Sequence, residues 1–129
     1  TMIDNNQGFL RSQGTFVSKN NLGYSNTSDF SGTFTSEEND ASSDATAAGT
    51  NSRTNQTFTF VNEAGNNFLL ATGDVGAKNF GKNLSADANL PVITDILGAT
   101  RPIGSAFDIG AHEQTTSNLS ARNRLIMTK

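Results

Sequence analysis

From Thr1 to Val61, large apolar side chains occur mostly as short clusters. They are Gly8-Phe9-Leu10, Thr15-Phe16-Val17, Leu22-Gly23-Tyr24, Phe30-Ser31-Gly32-Thr33-Phe34 and Phe58-Thr59-Phe60-Val61, with Asn, Ser and Gly between them. That spacing constrains the fold more than any other feature. A helix needs apolar residues recurring over several turns, and each of these clusters is too short for one. Each does fit a strand. Yet short strands with Phe, Val and Leu spread this thinly cannot easily close a barrel or sandwich, and at 129 residues burial is already marginal. A solenoid resolves the difficulty, because each coil supplies a few inward residues and shares its core with the coil below.

Composition agrees with a β-rich, turn-rich single domain. There are 16 Asn, 16 Thr and 13 Ser but only 2 Pro, while Leu, Glu and Lys are too few for a helical bundle. Nine Phe and 16% charged residues also exclude a long disordered tail as the whole answer. The net charge of −3, with no clustered Lys and Arg, excludes a nucleic-acid binder. The absence of Cys removes disulfides and thiolate metal sites, and His112 is the sole His. No stretch approaches the roughly 18 apolar residues of a membrane helix, and the first residues lack the order of a signal peptide, so a soluble piece without membrane insertion is expected.

Thr15-Phe16-Val17-Ser18 and Thr57-Phe58-Thr59-Phe60-Val61 read most clearly as strands, being β-branched or aromatic at nearly every place. Parallel strands are expected around Phe16, Phe30 to Phe34 and Phe58 to Val61, with their rings stacked inward. Asn5-Asn6, Lys19-Asn20-Asn21 and Asn26-Thr27-Ser28 mark tight turns, since Asn tolerates left-handed backbone angles. The stretch 36–57 contains no large apolar side chain, and the expectation for it is a long surface loop. Further on, Phe68-Leu69-Leu70 reads as a strand and Ser85 to Asn89 as a turn, while Val92 to Ile96, between Pro91 and Pro102, fits only an edge strand.

Two stretches give the solenoid a specific form. Asn20-Asn21-Leu22, with Tyr24-Ser25-Asn26 and Asp29-Phe30-Ser31-Gly32, resembles a coil of a right-handed parallel β-helix in which an Asn pair turns the corner after a strand. Later come Asn67-Phe68-Leu69-Leu70, Asn83-Leu84-Ser85, Thr94-Asp95-Ile96-Leu97-Gly98-Ala99-Thr100-Arg101-Pro102 and Phe107-Asp108-Ile109-Gly110-Ala111-His112-Glu113. In that order they resemble the C-terminal end of pectin-lyase-like β-helix proteins of the choice-of-anchor Q type, over roughly residues 15 to 113, with His112 where such proteins usually carry an aromatic residue. The resemblance implies an all-β fold made of terminal coils and a C-terminal cap. Residues 1–62 would be the last coils with the polar loop 36–57, residues 63–113 the terminal cap and residues 114–129 a tail. Family members carry more coils ahead of such an ending, whereas two or three fit before Asn62 at about 20 residues each. The expectation is therefore a fragment of a longer protein, or a subunit whose open sheet edge is covered by another chain.

Asp95, Arg101, Asp108 and Glu113 form the one dense group of charges around an apolar segment. They fit a carboxylate pair for polysaccharide cleavage. The plainer reading is that Arg101 pairs with Asp108 or Asp95 and pins the last turn, with Gly98, Gly104 and Gly110 supplying unusual backbone angles. Glu37, Glu38, Asn39, Asp40 and Asp44 fit either a calcium site or a solvated acidic loop, and the plainer reading is the loop. His112 beside Glu113 has no Ser or Cys motif to serve. Asn26-Thr27-Ser28, Asn55-Gln56-Thr57, Asn83-Leu84-Ser85 and Asn118-Leu119-Ser120 match the glycosylation triplet, as chance allows in such a composition. Stacked Asn ladders are favoured over a defined sugar site involving Thr, Asn and Tyr24. In the tail, Arg122, Arg124, Leu125, Ile126 and Met127 combine charge with apolar side chains and are candidates for contact with a partner.

The function expected is a non-enzymatic structural or interaction domain on an extracellular, cell or virion surface. It would stack on or cap a protein partner, either a second copy or the remainder of a larger β-helix protein, with glycans as a further ligand class and no cofactor or metal. The alternatives are the C-terminal end of a polysaccharide lyase or hydrolase, and a subunit of a surface filament joined end to end.

Overall fold

The computed structural model of the chain describes residues 1–89 and 91–115. Among these residues the structure is all-β, with nine short strands and a single 3-10 turn at Glu63–Gly65. The chain visits three faces in rotation. Strands β1 (Met2–Ile3), β2 (Gln7–Leu10) and β3 (Val17–Lys19) make a first pass, and β4 (Leu22–Tyr24), β5 (Ser28–Ser31) and β6 (Ser36–Glu38) a second, before β7 (Ala41–Ser42) returns to the first face. Each strand pairs in parallel with its counterpart in the next pass. Met2 lies opposite Gly23 and Phe9 opposite Phe30, the same step along the chain. Val17 lies opposite Ser36 and Leu22 opposite Ala41, a slightly shorter step. Bridges from Glu38 to Thr50 and from Ala41 to Arg53 tighten it further.

The corners are made by residues in the left-handed region. Asn20, Asn39 and Asn51 have φ of 56°, 52° and 58°. Each follows a residue of the third face, where Lys19 pairs with Glu38 and Glu38 with Thr50. Asn is the residue best suited to that conformation after Gly. The Asn-corner expectation therefore holds at Asn20 and recurs in both later passes.

The expected surface loop at 36–57 is instead part of the stack. It contributes β6, β7 and the two later bridges, and Asp40, Ala41 and Ser42 are fully buried. Its hydropathy misleads because polar side chains here complete backbone ladders. On the second face, among the described residues, no third strand follows β5. Asp44 Oδ2 accepts the Asp29 N–H at 3.0 Å and Thr46 Oγ1 accepts the Phe30 N–H at 2.9 Å, so side-chain oxygens take the places of missing strand carbonyls. The Asp29 carboxylate in turn accepts from the backbone and hydroxyl of Ser43 at 2.7 and 2.8 Å. It lies against Gly23, where an added Cβ would come within 2.5 Å of the Asp29 Cβ. A solvated acidic loop is likewise corrected for Asn39 and Asp40, which are buried.

Two apolar clusters flank these ladders. Phe9 stacks on Phe30 at 5.0 Å and 20°, and Phe30, Phe34 and Ala47 form one buried group. The other contains Leu22, Ala41, Phe58, Phe60, Leu70, Ala77 and Ile109, with Tyr24 and Phe68 packed on it. The expected parallel strand at Phe58 to Val61 is corrected. Strand β8 (Phe60–Asn62) pairs antiparallel with β9 (Asn67–Leu70), because Asn62 caps the intervening 3-10 turn and left-handed Asn66 reverses the chain. The strand expected at Phe68 to Leu70 is present. The parallel ladders thus end near Arg53, and β8 belongs with the cap instead of with the coils assigned to 1–62.

Candidate functional site: the carboxylate cap and the open edge

Residues 71–89 and 91–115 form a cap of turns laid against the Asn corners. The Asn20 side chain donates to the Lys82 carbonyl and accepts from the Lys82 N–H at 2.8 and 2.7 Å, and Asn39 donates to the Phe80 carbonyl at 2.8 Å. These Asn side chains therefore tie the stack to the cap, where an Asn ladder was expected. Tyr24 is engaged as well, donating to Glu63 Oε1 at 2.7 Å and packing edge-on against Phe60.

The structure brings Asp95, Arg101, Asp108 and Glu113 together at the centre of the cap, all of them buried. Arg101 ion-pairs with Glu113, Nε to Oε2 at 2.7 Å, and not with Asp108 or Asp95. The reason lies in the backbone. Arg101 Nη1 and Nη2 reach the carbonyls of Gly110 and Asp108, and the Asp108 carboxylate is already occupied by the N–H groups of Asn79 and Gln114. Glu113 also accepts from the N–H groups of Ile103 and Asp108, both at 3.1 Å. Asp95 accepts from Leu97 and Ala99 at 2.8 Å with one oxygen and from Glu113 N–H at 3.0 Å with the other.

These contacts set the electrostatics. Burial pushes Asp95 up, but the N–H groups of Glu113, Ala99 and Leu97 outweigh it and hold the carboxyl below its usual range. Burial raises Asp108, and the nearby Glu113 charge adds to that, while the donors of Gln114 and Asn79 and the Arg101 charge oppose it only in part. Each oxygen of these three carboxylates already accepts at least one N–H, and the residues are 1% to 8% exposed, so the cluster is engaged in holding the turns of the cap. Gly98 and Gly110 have positive φ, as expected. Gly104 does not; its role is close approach, since a Cβ there would lie 2.1 Å from Asn79 Oδ1.

His112 Nδ1 accepts the Leu70 N–H at 3.0 Å, so the ring pins β9. Among the described residues no group of three acidic, His or Cys side chains could hold a metal ion. The tail candidates Arg122, Arg124, Leu125, Ile126 and Met127 lie outside the described residues.

Two further features adjoin the cap. The first is the open edge expected of an uncovered coil: among the described residues β1, β2 and β3 each pair on one side only, and Leu10, Phe16 and Val17 are exposed along that pass. A cavity of about 590 Å³ beside it is lined by Val17, Lys19, Leu84, Val92 and Ile96, together with Asp95 and Arg101. The second is an exposed apolar hairpin over residues 93–101, bridged from Thr94 to Thr100. The signal for the hairpin is present in Ile93, Ile96 and Leu97 before Gly98, but the terminal-turn assignment absorbs it. No family model matches the chain, and no curated protein or solved structure matches it either.

Proposed function

We propose that the chain is a non-enzymatic structural and interaction domain, formed by the terminal coils and C-terminal cap of a right-handed parallel β-helix of the pectin-lyase-like, choice-of-anchor Q kind, working on an extracellular, cell or virion surface. Its open edge receives another β-structured protein segment, and glycans are a secondary ligand class. The observation that carries the reading is the asymmetry of the stack. At one end Asp44, Thr46 and the bridges to Thr50 and Arg53 complete the ladders. At the other, among the described residues, the first pass offers strands paired on one side only, with Asp4, Arg11 and Lys19 as its charges. Exposed edges are normally blunted by charge, Pro or bulges, and an edge this thinly charged is suited to pairing.

The test is to place a second copy of residues 1–21 directly ahead of Thr1. Because Phe9 pairs with Phe30 one pass on, the Phe9 equivalent of the added copy would stand over Phe9 itself. The added pass should fold onto the edge, raise Tm and slow hydrogen exchange of the amides of residues 2–19. If it stays unstructured and those amides exchange as before, the edge is not a ladder end. Release of unsaturated or reducing sugars from acidic polysaccharide by the intact chain would support the lyase or hydrolase alternative instead.

A further inference from the structure

The Asn corners meet the cap in a regular register. Asn39 donates to the Phe80 carbonyl, and Asn20, one pass nearer the open edge, donates to the Lys82 carbonyl, at 2.8 Å each. Asn20 also accepts the Lys82 N–H at 2.7 Å. The cap thus advances two residues for one pass of the stack, and the same step beyond Asn20 arrives at Leu84. Leu84 is 8% exposed, and its carbonyl accepts from the N–H groups of Asp87 and Val92. Among the described residues its own N–H has no acceptor. Buried amides without a partner are rare, because each costs free energy until an acceptor reaches it.

Leu84 lines the cavity of about 590 Å³ beside the open edge, together with Val17 and Lys19 of β3 and the corner residue Asn20. Among the described residues β3 is unpaired on its outer side. The cavity therefore joins the two things that a further pass would meet here: a strand edge and, just past it, a cap amide that lacks a corner side chain. The charged side chains around it are already matched. Lys19 pairs with Asp87 at 2.7 Å, Arg101 pairs with Glu113, and both oxygens of Asp95 accept backbone N–H groups. Thr1 lines the cavity as well, and its ammonium imposes no penalty on an uncharged side chain. Asn is uncharged, carries the acceptor that Leu84 lacks, and already takes the left-handed conformation at the corners Asn20, Asn39 and Asn51.

We propose that this cavity is the seat of a strand-and-Asn corner supplied by the partner. An extended segment pairs in parallel with the outer side of β3, and the left-handed Asn that ends it places its Oδ1 on the Leu84 N–H, as Asn20 does on Lys82. The proposal rests on the reading of the open edge as the partner's edge and names the part of the partner that is recognised. Amide hydrogen exchange tests it. In the chain itself Lys82 should exchange more slowly than Leu84. Asn20→Gly keeps the left-handed turn but removes the acceptor, and it should speed the Lys82 amide roughly three- to tenfold, the worth of one hydrogen bond. In the chain extended by a second copy of residues 1–21 ahead of Thr1, the Asn20 equivalent of the added copy reaches the seat and the Leu84 amide should slow. Asn20→Gly made in the added copy alone should reverse that slowing roughly three- to tenfold while the amides of residues 2–19 stay protected. A Leu84 amide as protected as Lys82 in the parent would overturn the proposal, as would a Leu84 amide that ignores the added pass or its Asn. If any of these occurs while the added pass protects residues 2–19, the open-edge reading stands and only the corner seat falls. An added pass that stays unstructured overturns both.

Discussion

Replacing Arg101 by Ala removes the guanidinium from a site where almost nothing can compensate for it. The side chain is 5% exposed, its partner Glu113 1% exposed, and their ion pair spans 2.7 Å. Loss of Arg101 leaves Glu113 with two backbone donors, from Ile103 and Asp108, and strips the Asp108 and Gly110 carbonyls of a donor each. It also removes the cation from above the Phe107 ring, 5.0 Å from its centroid. Breaking a buried pair by deleting one partner costs about 3–5 kcal/mol, because an uncompensated charge remains behind. For a chain of this size that lowers Tm by roughly 10–20 °C. Urea denaturation of Arg101→Ala, Glu113→Gln and the double variant measures both the loss and the coupling, which should reach about 1–3 kcal/mol. A single-variant loss below about 1 kcal/mol, the value of an exposed pair, would refute the reasoning. So would a variant of unchanged stability that lost a polysaccharide-cleaving activity present in the parent.

The buried Asp40 carboxyl gives the stack a pH dependence. Burial pushes its pKa up to about 6, with the neighbouring Glu37 charge adding to the rise and Ser18 and Asn21 opposing it, and its Oδ2 has no hydrogen-bond partner among the described residues. Because the folded value lies above the unfolded one, this contribution is full below about pH 4 and is lost as pH rises through 6, a swing of about 3 kcal/mol. Denaturation of Asp40→Asn between pH 4 and 7 should show that slope flattened, and an unchanged slope would acquit Asp40. Thr46→Ala should cost about 1–2 kcal/mol and speed exchange of the Phe30 amide, since that N–H loses its acceptor. Exchange equal to the parent's would mean that Thr46 does not close the ladder.

Much of the fold is legible where conformation is dictated locally. Asn20 marks a corner because a left-handed backbone angle is needed there, and Phe30 falls in a parallel strand as its aromatic, polar-flanked cluster implies. Residues 36–57 mislead because hydropathy records what a side chain tolerates and not what it can bind. Asp44 and Thr46 read as solvated, yet their oxygens finish a strand ladder. The strand at Phe60 carries the right residues, but its direction depends on Asn62 and Asn66, which set a reversing turn that composition does not announce. In the cap, the charged cluster is visible as a group. Its pairing is not, because Asp108 is claimed by the backbone amides of Asn79 and Gln114, the first of them distant in sequence. The cavity beside the open edge draws on Val17, Leu84 and Ile96, and only tertiary structure brings them together.

The fold rests on a chain that passes three faces in parallel, with Gln7 brought opposite Ser28 on one face and Val17 opposite Ser36 on another, and cross-linking reads that register directly. The absence of native cysteine makes introduced pairs unambiguous. Gln7→Cys with Ser28→Cys places two thiols on paired residues of β2 and β5, and Val17→Cys with Ser36→Cys does the same on β3 and β6. Paired residues on adjacent strands lie within the Cα separations that a disulfide spans. Both pairs should oxidise to intramolecular disulfides, and the mismatched pair Gln7→Cys with Ser36→Cys should remain reduced. Two matched pairs that stay free, or a mismatched pair that closes as readily, would contradict the parallel stack.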